Sequence, residues 1–216
     1  MKLIKFLAIV MLTAWFIFSS GCQEKASEEV DQGAFSGSVY RNNYFGLTIT
    51  IPSDWSIQDS KSMQDIKNLG KNVLDKDDKN LKAVMEASEF QTVSLFAVFR
   101  YPVGTPVPFN PNLMCMAERV RHMPGIKRGK DYHFHTRKLL ESSHMSVNFP
   151  KEIYTETLGG VEFDVLYSET SLGTMLVKQK QYGAVIKGYV LLIVTTFADE
   201  NQEATLDEIL KTLTFN

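Results

Sequence analysis

The sequence predicts an α+β fold for residues 39–216: a central antiparallel β-sheet with helices packed on it, an α/β sandwich. Three observations predict it. Leu47, Ile49 and Ile51 alternate with Thr48 and Thr50, the period-two pattern of a half-buried strand. Two long segments each carry a two-residue turn signal, Gly159-Gly160 and Lys187-Gly188, where adjacent antiparallel strands fold back on each other. The end of the chain then changes period: Leu206, Ile209, Leu210 and Leu213 form one face of a helix whose acids, Asp199 and Glu200, come first. Hairpins with helices at intervals give an antiparallel sheet covered by helices.

The elements follow in order. Asn42-Asn43 precede the first strand as turn formers, and Pro52-Ser53-Asp54 stop it. Met63, Ile66, Leu69 and Val73 make one helical stripe, and Leu81, Val84 and Met85 begin a second after the charged run KDDKN. QTVSLFAVFRYP, with Leu95, Phe96, Val98 and Phe99, is apolar on both faces and belongs in mid-sheet. A Pro-rich loop, VGTPVPFNP, follows. Asn110-Pro111 then reads as an N-cap and first turn for a helix with Leu113, Met116, Ala117 and Val120 on its apolar face. Residues 131–143 read as a further helix, and Val147 and Phe149 as a short strand ending at Pro150. YTETLGGVEFDVLYSE is a hairpin with Val161, Phe163 and Val165 on one face, and YVLLIVTTF is a nearly all-apolar, central strand. Trp55 reads as a cap on the core at a strand end.

The N-terminus sets the compartment. Lys2 and Lys5 precede an uncharged run from Leu7 to Phe18, shorter than the roughly 20 residues a spanning helix needs. Ser19, Ser20 and Gly21 then lead into Cys22, the order of an export signal and a small-residue cleavage site. Gly21-Cys22 resembles the bacterial lipobox, although Ser19 stands where that motif has Leu. The resemblance implies a signal peptide over 1–21, lipidation of Cys22 and attachment to a membrane through that lipid. Residues 22–38 are small, polar and acidic and read as a lipidated N-terminus and flexible tether. The expected localisation is the bacterial cell envelope, on the extracytoplasmic side.

Loss of residues 1–21 removes two lysines and no acids, so the formal charge moves from −2 to −4. A mildly acidic chain lacks the cationic footprint of nucleic-acid binding. Only two cysteines are present. With Cys22 lipidated, Cys115 has no partner, and its apolar surroundings make it a buried structural thiol.

Two passages resemble the ends of PsbP-like domains. YRNNYFGLTITIPSDW has the aromatic–Gly pair and the strand ending in Pro-x-x-Trp. KQYGAVIKGYVLLIVTTFADENQEATLDEILKTLTF has the last hairpin, acidic loop and helix with a hydrophobic tail. Together they cover about a quarter of the chain. The resemblance implies an α+β sandwich and a non-enzymatic family that includes photosystem accessory subunits, nuclear-transport cofactors and bacterial envelope lipoproteins of the DcrB type.

Motifs for chemistry are sparse. His133 and His135 would chelate together only on a strand; on the expected helix they point about 200° apart. His122 and His144 read as surface residues. There is no G-x-S-x-G elbow, no phosphate-binding G-x-x-x-x-G-K-[ST] loop and no H-E-x-x-H helix. Glu86, Glu89, Glu156, Glu162 and Asp164 are scattered acids expected on exposed faces. No metal, cofactor or catalytic residue is assigned. One cluster stands out: Arg119, Arg121, Lys127, Arg128 and Lys130 are candidate contacts for anionic headgroups or acidic wall polymers near the tethered surface. The sequence thus reads as a membrane-anchored envelope protein with a non-enzymatic binding or accessory domain and an envelope protein partner. The alternatives are a small-ligand or metal-binding envelope protein and, behind it, a wall or lipid hydrolase.

Overall fold

A computed structural model describes residues 30–59, 63, 92–142 and 146–216. The expected signal, Cys22 and the helical stretches at 66–73 and 81–85 lie outside these residues, as do Glu86, Glu89 and His144.

The described chain builds two antiparallel sheets and two helices. The small sheet has the order β1-β2-β3-β12, from Ala34–Ser36, Val39–Asn42, Leu47–Thr50 and Thr214–Phe215. The large sheet has the order β4-β5-β6-β11-β10-β9-β7. Its strands are β4 (Ser56–Ile57), β5 (Thr92–Phe99), β6 (Asn112–Arg119), β7 (Val147–Asn148), β9 (Val161–Leu172), β10 (Met175–Ile186) and β11 (Tyr189–Phe197), with β8 (Tyr154–Leu158) also paired to β9. Helix α1 spans Gly129–Ser142 and helix α2 spans Glu200–Leu210.

Each face of the large sheet has its own core. On one, Phe96, Val98, Cys115, Leu191 and Ile193 meet the small sheet's Tyr40, Leu47 and Ile49 and the α2 residues Leu206, Ile209 and Leu210. Tyr40 packs tilted on Phe96 with ring centroids 4.5 Å apart. On the other face, Met114, Met116, Leu192 and Val194 lie with Tyr132 of α1 and with Met63. The fold is therefore an α+β sandwich, and both faces of its central strands are dry.

One expected helix is a strand. Residues 112–119 form β6, hydrogen-bonded between β5 and β11, and all but Arg119 are buried. Leu113, Cys115 and Ala117 enter one core while Met114 and Met116 enter the other. An unbroken apolar run contains every spacing, so the three-and-four pattern in it was a subset without structural meaning. Asn110 does not cap a helix. Its Oδ1 accepts from the Tyr101 amide at 2.9 Å and its Nδ2 donates to the Tyr101 carbonyl at 2.8 Å, closing the β5–β6 loop.

Order also begins earlier than the expected domain start at 39. Val30 is buried, and β1 pairs with β2 through Ala34–Arg41, Phe35–Tyr40 and Ser36–Val39. Phe35 is the anchor: its ring lies 5.2 Å from Tyr40 and 5.9 Å from Phe96. One aromatic in a polar stretch is enough to add a strand to an existing edge.

The other elements fall close to expectation. Lys187 and Gly188 have φ of 50° and 81°, the paired positive values of a two-residue hairpin turn. Asp199 caps α2 by accepting from Gln202 N at 2.9 Å, while the Gln202 side chain accepts from Ala198 N. Trp55 is buried in the first core.

Helix α1 sits close to the sheet because two glycines let it. A Cβ on Gly129 would collide with the Gly183 carbonyl, and one on Gly183 would lie 2.8 Å from His133 Nε2. Gly183→Ala is therefore expected to destabilise the fold by about 1–3 kcal/mol in urea unfolding. Gly125→Ala, where a Cβ meets nothing within 4 Å, should leave the midpoint within experimental error.

Candidate functional site

The basic cluster does not follow a helix. Arg119 ends strand β6, the next residues cross one end of the sheet, and Lys130 lies in the first turn of α1. Its members have separate fates. Arg128 is committed to the fold: its Nη2 and Nε reach the two Asp164 oxygens at 2.6 and 3.0 Å, with Glu162 at 3.7 Å. Asp164 also accepts from the Lys130 amide at 2.7 Å. The expectation of Asp164 on an exposed face is thus corrected; its side chain is 5% exposed. Glu162 does lie exposed. Asp131 accepts from the Lys127 and Arg128 amides at 2.9 and 3.1 Å and so caps the turn into α1.

Arg121, Lys127 and the Lys130 side chain face solvent. The fold adds a cation that the sequence did not group with them. Lys187, in the β10–β11 turn, donates to the Tyr44 carbonyl and lies 5.3 Å from the Tyr44 ring centroid. Arg121 donates to the Lys187 carbonyl at 3.0 Å and reaches Tyr44 Oη at 3.5 Å. Its stem lies over Gly188, where a Cβ would strike it. Three distant segments, 43–46, 119–130 and 187–188, therefore meet at one end of the sandwich. The N-terminal segment joins the fold there too, because Asn42 donates to the Asp31 carbonyl and Ala34 pairs with Arg41.

The two histidines diverge. His133 is fully buried and His135 is exposed. His133 Nε2 lies 3.0 Å from the Asp164 carbonyl oxygen, which it serves as donor. Burial, only partly opposed by the Asp164 contacts, drops the imidazole to about 4, so it is neutral at pH 7. Beside it, Tyr132 donates to the buried Glu118 carboxylate at 2.6 Å. Across the same face, Ser168, Gln179, Thr196 and Asn112 stand opposite one another on four adjacent strands, and all are buried. Gln181 donates to Gln179 at 2.9 Å and Gln179 to Thr196 at 3.2 Å. This polar row had no sequence signal beyond isolated amides in apolar strands. Cys115 is on the other face, where burial pushes its thiol far up. Among the described residues His133 hydrogen-bonds to a backbone carbonyl and not to a hydroxyl or thiol. Among the described residues no three His, Cys, Asp or Glu side chains converge for a metal.

A cavity of about 430 Å³ opens at the far end of the sheet. Its apolar wall comes from the Pro-rich β5–β6 loop, through Tyr101, Val107 and Phe109, and from Met175 at the start of β10. The first turn of α2, with Asp199 and Gln202, forms its polar side. Arg100 stands at the rim, 2.6 Å from Asp54 and 5.3 Å from the Tyr101 ring centroid. Tyr101, Val103 and Leu176, each 39–43% exposed, surround this end with apolar surface. The sequence showed the loop but not the cavity, because Met175 and α2 approach it only through the sheet order. The 12 residues of β10, roughly 35–40 Å of strand, separate the cavity from the Lys187 end.

No family model and no curated protein matches the chain. Solved structures do. The solution structure of cyanobacterial PsbP (CyanoP) from Synechocystis sp. PCC 6803 superposes with a TM-score of 0.50 at 11% identity, over 85% of this chain and 96% of that one. LpqN, involved in cell envelope biogenesis of Mycobacterium tuberculosis, gives 0.42 at 13% identity over 79% and 83%. A protein of unknown function from Pseudomonas aeruginosa gives 0.43 at 12% over 58% and 81%. The likeness to CyanoP makes the fold PsbP-like.

The buried imidazole carries a pH signature. An unfolded His133 would bind a proton near 6.5 and the folded one only near 4. Stability is thus present in full above pH 6.5 and falls as pH drops to 4, by about 3 kcal/mol. Urea unfolding of His133→Gln between pH 7 and 4 should show a shallower loss over that window than the parent chain.

Proposed function

We propose that this chain is a bacterial envelope lipoprotein of the DcrB-like kind, held on the extracytoplasmic side by a lipid on Cys22. In this reading it binds or supports another envelope component without turnover. The observation that carries the reading is the opposition of the two ends of the domain. Residue 30 joins the sandwich at the Tyr44–Lys187 end, and the cavity bordered by exposed apolar side chains lies at the other. A domain tethered at residue 22 would turn that cavity away from the bilayer, toward partners. The export-type N-terminus supports the location. Confinement to a membrane raises the concentration at which the domain meets other envelope components.

If the tether is real, the N-terminal peptide of the membrane-extracted protein carries the mass of a lipid, and Cys22→Ala moves the protein out of the membrane fraction. Unchanged membrane association with no lipid mass would overturn it. A photo-crosslinker at Leu176 should trap a defined envelope partner that the same group at Pro124, on the opposite end, does not. Equal capture from both positions would remove the cavity end from the reading.

A second reading rests on the cavity's size, which lies within the roughly 300–1,000 Å³ of small-molecule sites. A raised melting temperature with one compound, lost in Phe109→Ala or Met175→Ala, would favour small-ligand binding over protein docking.

A further inference from the structure

We infer that the Tyr44–Lys187 end of the sandwich is a second membrane contact, which lies against the anionic headgroups of the bilayer. The inference rests on the tether reading and adds an orientation to it. Three observations converge. First, the cations of this end come from separate parts of the chain: Arg121 and Lys127 from the loop after β6, and Lys187 from the β10–β11 turn. Arg128 is withdrawn from the set by its fork on Asp164, so the surface is not the basic run of the sequence but a rearrangement of it. Second, the cations surround a tyrosine. Tyr44 is half-buried, carries Lys187 over its ring and meets Tyr189 edge-on at 5.7 Å. Amphipathic rings beside cations suit the headgroup layer, where one side is apolar and the other wet.

Third, the chain path limits the distance. Cys22 and Val30 are eight residues apart, at most about 29 Å when extended. A domain hung on that length spends its time within reach of the surface, and a face of the right charge settles on it. The acids of this end are Asp31, whose carboxylate accepts from the Gly33 amide, Asp131, which caps α1, and Glu162, beside Arg128. Glu118 points inward onto Tyr132. With Lys130, which is also exposed, and with Arg128 set against Asp164, the four cations of this end exceed these three acids by one, in a chain of formal charge −2.

The test uses the full chain, extracted from membranes with the mass of its N-terminal peptide recorded. It is reconstituted into phosphatidylcholine vesicles with or without phosphatidylglycerol. A fluorophore is placed by Pro124→Cys at the proposed contact or by Thr174→Cys at the far end, and nitroxide-headgroup lipid serves as quencher. Quenching at 124 but not at 174 is expected, strongest with phosphatidylglycerol and reduced by high salt. Arg121→Gln with Lys187→Asn should weaken the vesicle contact on the order of 20-fold; Asn tolerates the positive φ at 187. Equal quenching at both labels, or quenching at 124 indifferent to phosphatidylglycerol and salt, overturns the inference. So does a contact that forms only after Glu28→Gln and Glu29→Gln, which would make the acidic segment itself the occupant. An N-terminal peptide without lipid mass defeats the tether reading alone, because salt-dependent binding of that same protein to phosphatidylglycerol vesicles still reads out the charged face.

Discussion

Strands β5, β6, β11 and β10 bury side chains on both of their faces, and this two-sided burial governs the rest of the architecture. A sheet of that kind cannot leave either surface to water without exposing apolar area worth about 25 cal/mol per Å². One surface is closed by the small sheet and α2, the other by α1 and Met63. The chain that closes the first face comes from both its beginning and its end: β12 pairs with β3, and the Asn216 amide donates to the Gly46 carbonyl. The first and last parts of the domain are therefore one structural unit.

The polar groups inside this frame hold elements in place. Arg128 and the Lys130 amide converge on Asp164, so the start of α1 is fixed to β9. Lys180 does the same for α2, with Glu203 at 2.8 Å and Asp207 at 3.3 Å. His133, neutral and aimed at a backbone carbonyl, occupies the space above Gly183. Each of these contacts fixes one element to another, and none of these side chains lines the cavity at the far end. Loops at the ends of such a sheet are free to vary without disturbing the two cores.

The molecule is correspondingly polarised along its strands. Arg121, Lys127, Lys187 and Tyr44 gather where the N-terminal segment joins, and the exposed Tyr101, Val103 and Leu176 lie about the cavity some 12 residues of strand away. The N-terminal segment joins the sandwich at one end and the recess opens at the other.

Local patterns in the sequence determined the α+β class, both hairpin turns, the capped α2 and the strand at Leu47–Thr50. Each depends on neighbours in the chain: alternation, a Gly at positive φ, an acid before a helix. Long-range pairing decided the rest. β6 is a strand because β5 and β11 flank it, while its own residues suit a helix equally well. Phe35 orders a polar segment because Tyr40 and Phe96 receive it. Asp164 is buried and Arg128 spent because a loop and a strand 36 residues apart meet, and Lys187 joins Arg121 for the same reason. Charge and periodicity are readable in one dimension. Which cations remain at a surface, and which residues line a recess, depends on contacts that only the folded chain makes.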